Sequence, residues 1–149
     1  MLTMGQFTAR MDQLAAGEFA RDLEPALQGC VAVVAEDIEQ HFTDKIDSEG
    51  QAWPAHSPVT VALYGAHPLL VLSGLLKAAA AERGFGSFVF VGADVLRYGV
   101  NKDRIPYAGV HQFGYPAKNI PAREYMYLSD EAIRACGSIL VSHAAGAVL

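Results

Sequence analysis

Apolar positions recur along the chain with two periods, one near 3.6 residues and one of two, and the change between them separates helical from extended segments. Phe7, Met11 and Leu14 lie at helical spacing between Thr3, which can cap a helix, and Gly17, which can end one. A longer helix is predicted next, because Leu23, Leu27, Val31, Val34, Ile38 and Phe42 fall on one stripe. Asp22 stands at its N-cap position and Pro25 in its first turn, where a missing N–H is harmless. Glu36, Asp37 and Glu39 occupy other faces, which predicts an acidic outer side.

The stretch DSEGQAWPAHSP, Asp47 to Pro58, is rich in turn formers and holds the sole tryptophan, so it reads as an ordered loop anchored by Trp53. From Pro58 to Ala81 the chain is apolar but broken at Ser73-Gly74. This predicts a short helix capped near Ser57, a break, and a second helical stretch through LLKAAAA. SFVFVG, Ser87 to Gly92, is β-branched and aromatic, and DVLRYGVN can return antiparallel after a tight turn at Gly92-Ala93. Leu96, Tyr98 and Val100 then share one face and Val95, Arg97 and Gly99 the other, as in a sheet covered on one side. Pro106 can open a helix of one to two turns that Gly114 ends. After an extended IPAREYMYL, Ser129 caps a last helix, with Asp130 and Glu131 at its positive end and Ile133, Cys136, Leu140 and Ala144 as its inward stripe. The expected fold is α+β, with N-terminal helices and a C-terminal helix packed on a small antiparallel sheet. No internal repeat is visible, and residues 1–149 read as a single domain.

A chain of this length can bury roughly two thirds of its unfolded surface, enough for a core without staples. Hydrophobic residues make up 52% and charged residues 18%, against about 25% charged in an ordinary soluble domain. Some apolar surface is therefore expected to be covered by other chains. The net charge of −5 is unevenly spread. Residues 1–50 carry ten acids and three bases, whereas residues 51–123 carry three acids and seven bases. Such a split suits attraction between identical subunits, or a basic surface beside a polyanion. No membrane span or signal-peptide core is apparent, and a cytoplasmic site of synthesis is expected.

Few constellations carry chemistry. Cys30 and Cys136 form no CxxC and read as two buried thiols. His41, His56, His67, His111 and His143 include no pair at i, i+4 and no HExxH, so neither a metal nor a cofactor is expected. No GxSxG is present, and the glycines of FGSFVFVG precede a strand instead of joining a strand to a helix, as a phosphate cradle requires. His111 remains, beside Tyr107 and Tyr115. In the last turn of its helix the ring can bond a free carbonyl, where the helix dipole favours its protonated form. Gln112 can likewise bond loop backbone, and Pro121 fixes the chain before Arg123. That structural reading accounts for each residue type. A small enzyme using His111, or a free nucleic-acid-binding module, are the competing classes, the latter disfavoured by the acidic total.

HQFG followed by IPAR, preceded by PYA and followed by YLSDE, resembles the phage virion-morphogenesis family, the tail-completion proteins of Mu-like and related tailed phages. The likeness runs upstream in order through DSEGQAWPAHSPVT and LLVLSGLL and covers roughly residues 20–135. The chain departs from the family in lacking a Lys/Arg-rich run between Thr60 and Leu70, and in having Glu124 and Met126 where Pro and Leu are usual. The motif positions are Trp53, Ser73, Gly74, His111, Gln112, Phe113, Gly114, Pro121 and Arg123, and the resemblance implies that they are structural. It further implies a non-enzymatic virion component: a ring subunit, commonly hexameric, at the head-proximal end of the tail, which joins head to tail around the DNA channel. A tail terminator that stops tube polymerisation is the alternative within the class. Implied partners are identical subunits, a tube or terminator protein on one side and a head-closure protein on the other, all assembled in the host cytoplasm. Arg97, Lys102, Arg104 and Lys118 are then candidates for a DNA lumen or a neighbour's acidic face.

Overall fold

A computed structural model describes residues 22–148; the first expected helix, from Thr3 to Gly17, lies outside the described residues. The fold is mixed α and β, with five α-helices and one two-stranded antiparallel sheet among the described residues. Helix α1 spans Glu24–Asp44, α2 Pro58–Tyr64 and α3 Leu75–Ala80. The hairpin follows as β1, Ser87–Val91, and β2, Leu96–Val100. Helix α4 spans Ala108–Phe113 and α5 Asp130–Val148, with a 3-10 turn at Pro116–Lys118 between them.

Helix α1 organises the core. Val31, Val34, Ile38 and Phe42 are buried along the predicted stripe, joined by Ala26, Cys30 and His41, while Leu23 and Leu27 are only half-buried. Asp22 is not the N-cap: Leu23 is, with no side-chain cap, and the Asp22 carboxylate instead accepts the Glu24 N–H at 3.1 Å in a turn just before the helix. Phe42 meets the Trp53 ring edge-on at 5.8 Å and lies 5.6 Å from that of Tyr125. Trp53 is buried and donates its indole N–H to the Glu124 carbonyl at 2.9 Å, so the predicted anchor holds the 47–58 loop to the IPAR segment.

The hairpin pairs Phe88 with Gly99 and Phe90 with Arg97. Leu96, Tyr98 and Val100 pack against the core as expected, and the Tyr98 hydroxyl donates to the Ala80 carbonyl at 2.9 Å. Phe88 and Phe90 face outward.

Two predicted faces are corrected. Asp37 does not belong to an acidic outer side: its carboxylate accepts the Ser129 backbone N–H at 2.9 Å and the Ser129 hydroxyl at 2.5 Å. Ser129 in turn accepts the Ala132 N–H at 3.1 Å, so the acid of one helix caps the start of another through the serine. That docking sets the rotation of α5. Ala132 is buried and Ile133, expected inside, is 54% exposed. Small residues meet at the α1–α5 contact, where a Cβ on Gly29 would stand 3.4 Å from Ile139 Cγ2. The Cys30 thiol points at the Cys136 carbonyl, 3.9 Å away; both cysteines are free, and burial pushes the Cys136 thiol up to about 11.

Asp37→Asn retains an acceptor but removes the charge that complements the N-terminus of α5. A loss of about 1–2 kcal/mol is expected, seen as a lower urea midpoint at unchanged slope. A variant as stable as the parent would show this helix docking to be dispensable.

Candidate functional site

The quoted motif positions converge because of what each side chain does to the backbone around it. Gly114 ends α4 with φ +75° and ψ 172°, a conformation reserved for glycine. The chain then folds back on itself through a small bridge, in which Tyr115 and Ile120 exchange backbone hydrogen bonds of 2.8 and 3.1 Å around the Pro116–Lys118 turn. The return strand runs beside α4, and the Arg123 N–H donates to the His111 carbonyl at 2.7 Å. Gln112 fixes the next residues: its amide oxygen accepts the N–H groups of Tyr125 and Met126 at 3.1 and 2.9 Å, and its amide nitrogen donates to the Met126 carbonyl at 3.1 Å. The expectation that Gln112 bonds loop backbone is met.

Arg123 is only 6% exposed. Its Nε donates to the Pro54 carbonyl at 2.8 Å and one Nη to that of Ala55 at 2.9 Å, tying the tryptophan loop to the motif. Among the described residues no carboxylate forms an ion pair with it. Gly74, at φ +76°, turns the chain into α3, and Ser73 precedes it. Phe113 points away from all of this and is 80% exposed.

These residues border a cavity of about 740 Å³ between the tryptophan loop, α2, α4 and the IPAR segment. Ser73, His111, Pro121 and Arg123 of the motif line it. So do His56, His67 and Lys118, of which only Lys118 was singled out, and that as a lumen candidate. The signal for the two histidines was present: they flank the helix that Ser57 caps. Their rings lie 4.2 Å apart. Arg97 projects from the outer face of the hairpin, while Lys102 and Arg104 are exposed in the turn after it, with Arg104 5.0 Å from the centre of the Phe85 ring. The four expected lumen bases thus fall on two parts of the fold. Among the described residues no cluster of His, Cys, Asp or Glu is placed to hold a metal ion, and no helix is long and apolar enough to cross a membrane.

His111 departs from its expected role. Among the described residues its ring bonds no carbonyl: the ring Nδ1 is buried with no partner, and the His111 carbonyl itself takes the Arg123 N–H. Burial first, then the neighbouring Arg123 and His56, pull its pKa below the usual 6.5, so the neutral ring is favoured despite the helix end. A buried neutral histidine stabilises the fold fully above the ordinary imidazole pKa, and that contribution is lost as pH falls through the lowered value. Melting curves at pH 7.5 and 5.5 are therefore expected to separate for the parent and to separate less for His111→Leu. Equal separations would show that this ring is not the titrating group.

Elsewhere the His41 Nδ1 donates to the Tyr125 carbonyl at 3.0 Å and its Nε2 lies 3.6 Å from the Asp37 carboxylate that Ser129 also bonds. It stacks on Tyr127 at 3.6 Å, and burial together with nearby Asp37 and Glu124 pushes the Tyr127 phenol up to about 12. Compared with protein-family models, with curated proteins and with solved structures, the chain matches none.

Proposed function

We propose that the chain is a structural virion protein of a tailed phage, a tail-completion or neck ring subunit that lets the head join the tail around the DNA channel. The observation that carries this reading is where the apolar side chains point. Phe113, Leu63, Tyr64, Phe88 and Phe90 are all exposed among the described residues, apolar surface that contact with neighbouring subunits takes out of water. The motif supports the same reading by the work its side chains do. Gln112, Arg123 and Trp53 bond main-chain groups, which rigidifies a platform and leaves Phe113 projecting from it.

A ring requires two unlike faces of each subunit to meet, repeated until closure. The exposed aromatics supply apolar area, and the acids of α1 against Arg97, Lys102 and Arg104 supply opposite charge. Those three bases suit sliding contact with DNA phosphates equally well.

The test is an amber allele of the gene in the phage that carries it, with lysates viewed by negative-stain electron microscopy. Separate full heads and unjoined tails are expected. Tails of normal length would mark completion, and overlong tails would mark termination. Normal infectious particles would overturn the virion reading.

A further inference from the structure

The cavity beside the motif has a chemical character that the structural role of its walls does not use. Its ionisable lining is basic or neutral: Arg123, Lys118, His56, His67 and His111 beside Tyr64 and Tyr107, with no carboxylate among the described residues that line it. Arg123 is a buried guanidinium without a counter-ion among the described residues. Two of its donor nitrogens are committed to the Pro54 and Ala55 carbonyls, and its second Nη has no partner there. Among the described residues the His56 Nε2 and His111 Nδ1 are buried without a partner, with almost no surface open to the cavity. An uncompensated buried charge is destabilising. A guanidinium with a spare donor beside a basic, carboxylate-free lining is what a site awaiting an anion looks like.

The rest of the wall decides which anion. Leu70, Leu76 and Ile120 line the same space, and the Tyr107 ring stands edge-on to His111 at 5.9 Å. A nucleic-acid phosphate brings nothing to cover such groups. An acidic side chain between aliphatic neighbours brings both charge and apolar surface.

We infer that this cavity is a docking site for a partner polypeptide, which inserts a glutamate or aspartate flanked by aliphatic residues so that its carboxylate meets the free Nη of Arg123 beside the imidazoles of His56, His67 and His111. Lys118, exposed at the rim over the Tyr115 ring, steers the acid inward. Arg123 supplies the charge and the hydrogen-bond donor that the carboxylate takes. The inference stands whether or not the chain forms a ring, since it concerns one subunit and its bound segment.

The experiment uses the full chain at pH 7 and follows the imidazole proton–carbon resonances of His56, His67 and His111. The probes are acetyl-Leu-Glu-Leu-amide, the same peptide with Gln for Glu, inorganic phosphate and a short oligothymidylate. The Glu peptide is expected to move all three histidines, with the Gln peptide weaker by about tenfold or more, as loss of a charge-assisted contact implies. Lys118→Glu, at an exposed position that leaves the fold intact, is expected to weaken the Glu peptide by a similar factor. His111→Leu is expected to weaken it while the protein stays folded. No shift at millimolar Glu peptide, or equal shifts with the Gln peptide, would overturn the site. Phosphate or oligothymidylate competing as well as the Glu peptide would overturn the polypeptide assignment. Shifts that grow with protein concentration before any peptide is added would reassign the occupant to a second copy of this chain.

Discussion

Gly114→Ala is expected to destabilise the protein by about 3 kcal/mol or more. An alanine held at the observed φ of +75° with an extended ψ is strained by roughly 1–3 kcal/mol wherever it occurs. Here the new methyl group would also stand 2.8 Å from the Ala122 nitrogen and 3.0 Å from the Ile120 carbonyl oxygen. Both are backbone atoms, and the Ile120 carbonyl already accepts the Tyr115 N–H, so relief means opening the bridge that returns the chain toward Arg123. For a domain of this size the change corresponds to a fall in Tm of roughly 10 °C. Thermal unfolding followed by circular dichroism is the measurement. A variant melting within about 1 °C of the parent would show that the turn is far softer than its geometry implies.

The second large effect belongs to Gln112→Leu. Leucine nearly fills the glutamine's volume and so isolates the hydrogen bonds from packing. It leaves the N–H groups of Tyr125 and Met126 and the Met126 carbonyl without the partner they now share. At about 1 kcal/mol or more for each part-buried group stranded, the loss is expected near 3 kcal/mol. Gln112→Glu provides the control. It keeps two acceptors for the amides but turns a carboxylate on the Met126 carbonyl, so it should fall between parent and Leu. Denaturant midpoints ranked parent, Glu, Leu would establish the bidentate role. Leu ranking with the parent would assign the strand's position to Tyr125, whose buried hydroxyl donates to the Ala108 carbonyl.

These two residues also show what a sequence makes visible. Gly114 was legible because a glycine after a short apolar helix has few other reasons to be there, and Gln112 because an amide at a helix end naturally bonds loop backbone. The hairpin and the Ser57 and Ser129 caps were legible for the same reason: their signals are local. The hairpin's turn was placed too tightly, at Gly92-Ala93, whereas Val91 pairs with Leu96 and the Gly92 N–H closes the turn on the Val95 carbonyl at 2.8 Å. Ile133 was misjudged because the rotation of α5 is set by Asp37, ninety-two positions away, and no local pattern carries that contact. The cavity was hidden for a related reason. His56 and His67 acquire meaning only when Arg123, pinned to Pro54 and Ala55, brings the loop before α2 against the IPAR segment. Local propensity speaks to turns and caps; convergence of distant loops depends on tertiary bonds that leave no periodic trace.

Helix α2 has a final consequence. It contributes no buried side chain, and its seven residues are too few to remain helical unaided in water. The Ser57 hydroxyl accepts the Thr60 N–H at 3.1 Å and shares a hydrogen bond with the Thr60 hydroxyl at 2.9 Å, which holds only the first turn. Its amides should therefore exchange with deuterium many orders of magnitude faster than those of α1, through openings that need no global unfolding. One wall of the cavity beside the motif is then a fluctuating one, and any guest that stills it must supply the ordering free energy from its own contacts. Tight binders of this protein would be recognised less by how many atoms they touch than by how slowly α2 exchanges once they are in place.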